Sequence, residues 1–111
     1  MGSYTANLPT LFISSGFASS TVLTGFEDAS ALIIMAPATL TGTITVRVAT
    51  ESSGITASST FADYTSGGSD VTVAAGNAVQ LTPPVGGSII LVSSGPEGGL
   101  RAFQVQKRFD I

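Results

Sequence analysis

Seven carboxylates and four cations are the charged side chains of this sequence: Glu27, Asp28, Glu51, Asp63, Asp70, Glu97 and Asp110 against Arg47, Arg101, Lys107 and Arg108. There is no His and no Cys. Without His the usual general base, the Ser–His relay and the commonest metal ligand are gone. Without Cys as well, zinc and iron–sulfur centres lose their standard ligands. Two carboxylates facing each other across a cleft would suit glycoside hydrolysis. Glu27 and Asp28 are adjacent, so on a strand they would point to opposite faces, and they read as a solvated turn. Asp63 and Asp70 bracket YTSGGS, a loop with oxygen ligands for calcium, but D-x-[DN]-x-[DN]-G spacing is missing and a polar hairpin loop is the simpler reading. Lys107 has Gln104 three residues before it, which removes a Ser–Lys dyad of that spacing. Neither G-x-S-x-G nor the glycine-rich phosphate loops occur. The residues therefore predict no enzyme, no metal and no cofactor.

Sugar binding without cleavage would need flat aromatic platforms. The chain has no Trp and two Tyr, Tyr4 and Tyr64. Tyr64, at a strand end beside a Gly-rich loop, is the one candidate ligand platform. The competing role for such a Tyr is to cap the core with its ring while the hydroxyl reaches water.

The elements that must position these groups are strands. Apolar residues recur at every second place or in short solid runs, and helical periodicity is nearly absent. In TGTITVRVAT (41–50), Ile44, Val46 and Val48 share one side; Thr43, Thr45, Arg47 and Ala49 share the other. The pattern predicts strands at 10–13, 21–26, 30–36, 43–50, 60–64, 70–74, 78–82, 88–93 and 99–109. Gly, Ser, Asn and Pro mark the turns between them. ALIIM and SIILV are apolar on both sides and are expected to be covered on both faces. In the last strand Arg101 and Lys107 fall on the apolar side with Phe103, Val105 and Phe109. Their long stems would run along apolar surface with the charges in water. An all-β chain of about eight short antiparallel strands reads as a β-sandwich or jelly roll, with a closed barrel as the alternative.

At 111 residues this is one domain, long enough to bury roughly two-thirds of its unfolded surface. Residues 20–111 make the sandwich. Residues 1–19 are either an arm lying on another subunit or an edge strand of the same domain. The longest apolar run, 31–38, is broken by Pro37, whereas a membrane-spanning helix needs about 20 residues. The first cation is Arg47, so no secretory signal is expected. Net charge −3 and pI near 4.4 disfavour nucleic acid and anionic membranes.

Charged residues are 10% of the chain, against about 25% in a typical domain. Fifteen Ser, fourteen Thr and thirteen Gly take their place. A surface with so little charge suggests a subunit that stands against neighbours. The candidate subunit-contact residues are Leu8, Leu11, Phe12, Ile13 and Phe17 in the N-terminal segment, and Thr43, Thr45 and Arg47 on the hydroxyl-rich strand face.

The runs TITVRVATESSGI, FADYTSGGSDVTVAAGNAVQL and SIILVSSGPEGGLRAFQVQKRF together resemble small β-rich virion proteins of tailed bacteriophages. The likeness covers about residues 20–109 and departs at Glu51-Ser52-Ser53-Gly54, where many such proteins have an Asp-Gly turn. It implies a capsid decoration or cement protein on the phage head surface, made in the bacterial host cytoplasm. The implied partners are the major capsid protein and the chain itself, as a homotrimer matching threefold positions of a shell. A host-recognition module displayed on the virion, or a tail or neck component, is the alternative.

Overall fold

The computed structural model describes residues 3–26, 29–49, 61–66, 68–82 and 87–110. The turns expected at Glu27-Asp28, Glu51–Gly54 and Pro83-Pro84 lie outside them. The elements are β1 (Ser3–Ile13), β2 (Ala31–Met35), β3 (Ile44–Ala49), β4 (Ala62–Asp63), β5 (Thr65–Ser66), β6 (Ser69–Asp70), β7 (Thr72–Val73), β8 (Ala78–Leu81), β9 (Ser88–Ser93) and β10 (Arg101–Asp110). No helix occurs among the described residues.

Two antiparallel sheets hold most of the chain. The first has the order β1-β10-β2-β8. The second is centred on β3, which pairs β9 along one edge and β7 and β4 along the other. β5 and β6 form a small hairpin beyond it. Both sheets turn their apolar faces to one cluster, with Leu11, Ile34 and Phe103 from the first and Ile44, Val46 and Leu91 from the second, all essentially inaccessible. Each such Leu, Ile or Phe stabilises the fold by about 1.5–3 kcal/mol through burial. The radius of gyration, 13.3 Å, matches the ~13 Å expected of one packed domain near 100 residues.

The N-terminal segment, open between arm and edge strand on sequence grounds, runs as the edge strand β1 along the whole of β10, from Ser3 opposite Asp110 to Ile13 opposite Arg101. Pro9 explains why it is an edge. Proline offers no N–H to a second neighbour, and the register shifts between Leu8 and Leu11 as the strand accommodates it.

The strand expected at 21–26 is corrected. Only isolated bridges occur there, Ser19 with Val92 and Leu23 with Ile89. Ser20 interrupts the ladder ahead of this stretch, and Gly25, at φ +86°, turns the chain out of extended backbone within it. The Ser20 N–H donates to Leu91 O at 2.9 Å, and Leu91 N–H donates back to the Ser20 hydroxyl at 2.9 Å, where a ladder would use a backbone carbonyl. Residues 18–23 thus hang on the outer edge of β9 without becoming a regular strand, and Leu23 and Phe26 drop into the core.

The two doubly apolar strands differ. In β9, Ile90 is as buried as its core-facing neighbours Ile89 and Leu91. In β2, Leu32 and Ile34 are buried whereas Ile33 and Met35 on the outer face are only half-buried. Polar neighbours flank that outer face: Ile33 is opposite Gln106 on one side and Gln80 on the other. Gln106 donates to Asn7 Oδ1 at 3.1 Å, and Arg108 reaches Gln80 Oε1 at 3.0 Å across β2.

Candidate functional site

The one deeply buried charge among the described residues is Glu97, in the β9–β10 connection, 1% exposed. Its Oε1 accepts from Thr41 N at 2.8 Å and Arg101 Nε at 2.9 Å. Its Oε2 accepts from Gly42 N at 2.9 Å and the Ser93 hydroxyl at 2.7 Å. Two successive backbone N–H groups, a hydroxyl and a guanidinium therefore converge on one carboxylate. The main chain of Glu97 joins a third segment: its N–H donates to Phe17 O at 2.9 Å and its carbonyl accepts from Gly16 N at 2.8 Å. One residue thus fastens the turn after β1, the approach to β3 and the connection into β10.

Local sequence places each partner. Ser93 ends β9 pointing to the core side, opposite Ile44. Arg101 starts β10 on the same side as Phe103 and Val105, so its stem leaves the strand toward the interior and its charge meets Glu97. The expectation that this charge lies in water is corrected: the Arg101 side chain is 16% exposed and the Glu97 side chain 0%. Arg101 Nη2 also donates to Thr41 Oγ1 at 3.1 Å, and Gly98 N donates to the same oxygen at 3.0 Å. Gly42 is there for space. A Cβ on it would lie 2.7 Å from Ser94 Oγ and closer still to Ser93 Oγ.

Burial by itself pushes the Glu97 carboxyl up, since the charged form loses water. The hydrogen bonds from Thr41 N, Ser93, Arg101 and Gly42 N outweigh it and hold the group down at about 2, against an ordinary 4.5. With four donors engaged, the carboxylate has no free lone pair for a substrate or a proton-transfer step. It is a fastening, not an acid or base. Because its folded-state value lies below the unfolded one, its contribution to stability is fully present above pH ~4.5. That contribution is lost as pH falls through about 2 and amounts to about 3 kcal/mol. We expect acid unfolding of the wild type to steepen below pH 4, and its stability advantage over Glu97→Gln to shrink there. A constant difference from pH 7 to pH 2 in urea titrations contradicts this.

The residues singled out from sequence are dispersed. Leu11 and Ile13 are 1% and 0% exposed in the chain's own core, which corrects their assignment as contacts to a neighbour: they have no surface to offer. Leu8 packs half-buried against that core. Phe12 and Phe17 are exposed, as is Thr43, while Thr45 and Arg47 are half-buried on the outer face of β3. Arg47 is opposite Asp63 and donates to its Oδ1 at 2.9 Å, with the two side chains 40% and 45% exposed, so that water screens the pair. Such surface pairs contribute 0–1 kcal/mol, so Arg47→Ala should shift the thermal midpoint by only a few degrees. A loss above 2 kcal/mol in equilibrium unfolding contradicts that reading. Tyr64 is no open platform: its ring packs on the core and its hydroxyl accepts from Thr82 N at 3.2 Å. Among the described residues, Asp63 and Asp70 belong to no group of three carboxylates that could hold a metal ion.

Sequence reasoning missed the Glu97 cluster. Its signal was an acid in a Gly-Pro-rich turn, four residues before an Arg that the strand alternation turns inward. Comparison with protein-family models, curated proteins and solved structures returns no match for this chain.

Proposed function

We propose that the chain is a non-enzymatic structural subunit of a virion: a capsid decoration or cement protein that binds the outside of a phage head and bridges major capsid subunits. The observation that carries this reading is how the chain uses its polar groups. The one buried charged cluster among the described residues is spent on holding loops together, and the outward strand faces carry mostly hydroxyls, amides and apolar side chains with a few charges, such as the Arg47–Asp63 pair, among them. The low charge and the resemblance of residues 20–109 to small phage virion proteins support the same reading. On this account the two sheets form a jelly-roll sandwich, and copies assemble as homotrimers at threefold positions, with no nucleic acid or membrane partner. Weak contacts from each copy then add by avidity, so leaving the lattice means breaking several at once.

Host-glycan recognition through Tyr64 is the less favoured reading, because both ring and hydroxyl of that residue are engaged within the fold. The proposal is tested on particles prepared with and without this chain. Those with it should withstand heating to a temperature several degrees higher before releasing DNA. Equal release temperatures overturn the cement role.

A further inference from the structure

We propose that the end of the molecule carrying Phe12, Phe17 and Leu100 is its docking surface, and that it seats on an uncharged, partly apolar patch repeated across a protein shell. This rests on the reading of the chain as a shell-bound subunit and names the part of it that binds.

The three residues are the large apolar side chains left exposed among the described residues, at 42%, 64% and 62%. They gather at one end. Phe12 lies between the buried Leu11 and Ile13 and so points out of the first sheet, opposite Ala102. Leu100 immediately precedes Arg101, the residue opposite Ile13, so it lies at the same end of the first sheet. Phe17 sits in the turn whose carbonyl takes the Glu97 N–H.

The end is also held rigid. Thr21 N donates to Phe12 O at 3.1 Å, and the Glu97 cluster ties down the segments that bear Phe17 and Leu100. Side chains fixed before binding lose little freedom on contact, which raises the affinity obtained from a small area.

Charge and area select the partner. Glu97 and Arg101, the ionic groups beside the patch, neutralise each other, and Ser14, Ser15, Thr21 and Ser94 around it are exposed and neutral. A strongly acidic or basic partner would find nothing to pair with here. The exposed fractions of two Phe and one Leu amount to about 300 Å² of apolar surface. A stable pair of free proteins buries about 800 Å² per partner, of which somewhat over half, about 450 Å², is apolar. The patch is too small to hold a second free copy of this chain, but it suits a lattice that offers the same site many times and adds weak contacts together.

The test is binding of the purified chain to capsid shells assembled without it. Wild type is compared with the double variant Phe17→Ser/Leu100→Ser and with Asp70→Ser on the distant hairpin. Both substituted positions in the double variant are exposed, so its thermal midpoint should match wild type, and folding is checked in this way first. We expect the double variant to bind at least about tenfold more weakly and Asp70→Ser to bind like wild type. Wild-type affinity should change by less than about threefold between 0.05 and 0.5 M salt, because screening acts on charges. Undiminished binding by the double variant overturns the docking end while leaving the shell reading intact. Failure of the wild type itself to bind shells overturns the shell reading. If the double substitution instead abolishes self-association of the free chain in sedimentation, the patch is a contact between copies and the inference is wrong.

Discussion

Glu97→Ala should cost about 3–5 kcal/mol of folding stability, the range for removing one partner of a buried ion pair. The cost comes from what is left behind. Thr41 N, Gly42 N, the Ser93 hydroxyl and Arg101 Nε all lose their acceptor at once. Arg101, only 16% exposed in its side chain, keeps a charge with little water around it. For a domain of this size that corresponds to a fall in thermal midpoint of about 12–22 °C. Against a typical total of 5–15 kcal/mol, the variant would stand near the edge of folding. Arg101→Met should cost less, because the carboxylate keeps three donors. The double substitution should be milder than the sum, with a coupling of about 1.5–3 kcal/mol. If Glu97→Ala unfolds within 1 kcal/mol of wild type in urea, the carboxylate is not what joins the three segments.

The second large effect is at Gly42. Alanine there needs space that Ser93 Oγ and Ser94 Oγ already occupy. Neither hydroxyl can move freely. Ser93 donates to Glu97, and Ser94 Oγ accepts from Thr43 N at 3.0 Å while Ser94 N donates to Thr43 O at 2.9 Å. Relief would break one of these contacts or push the 41–43 segment off β9. Overpacking of this kind costs about 1–3 kcal/mol, and a lost buried hydrogen bond adds about 1 kcal/mol. We expect Gly42→Ala to lose about 2–4 kcal/mol in thermal or urea unfolding. Gly95→Ala is the control: a Cβ there meets nothing within 4 Å, so it should lie within about 0.5 kcal/mol of wild type. Equal midpoints for the two variants would falsify the close-approach argument.

Local alternation was the most legible part of this chain. The alternation in TITVRVA and AFQV puts Ile44, Val46, Phe103 and Val105 in the core and their neighbours outside, since a period of two leaves a strand no other choice. The edge position of residues 3–13 was only half legible, because Pro9 marks an edge but cannot say whose sheet it borders. What alternation could not show were features made by side chains replacing backbone. Ser20 takes a ladder bond and, with the left-handed Gly25, keeps 21–26 from becoming a regular strand. Glu97 looks like any turn acid until the fold brings residues 41 and 42, more than fifty positions away, onto its oxygens. Leu11 and Ile13 were misassigned for a related reason: an apolar residue reads the same in sequence whether its own core or a neighbour covers it.

The most direct measurement for the structural-subunit reading is the molar ratio of this chain to the major capsid protein in purified virions, by quantitative mass spectrometry. We predict a ratio near one or a simple fraction such as a third, as a protein occupying every lattice position of its kind requires. A ratio of a few per cent would contradict the cement role and move the chain to a tail, neck or vertex, and its absence from the particles would contradict a virion role altogether.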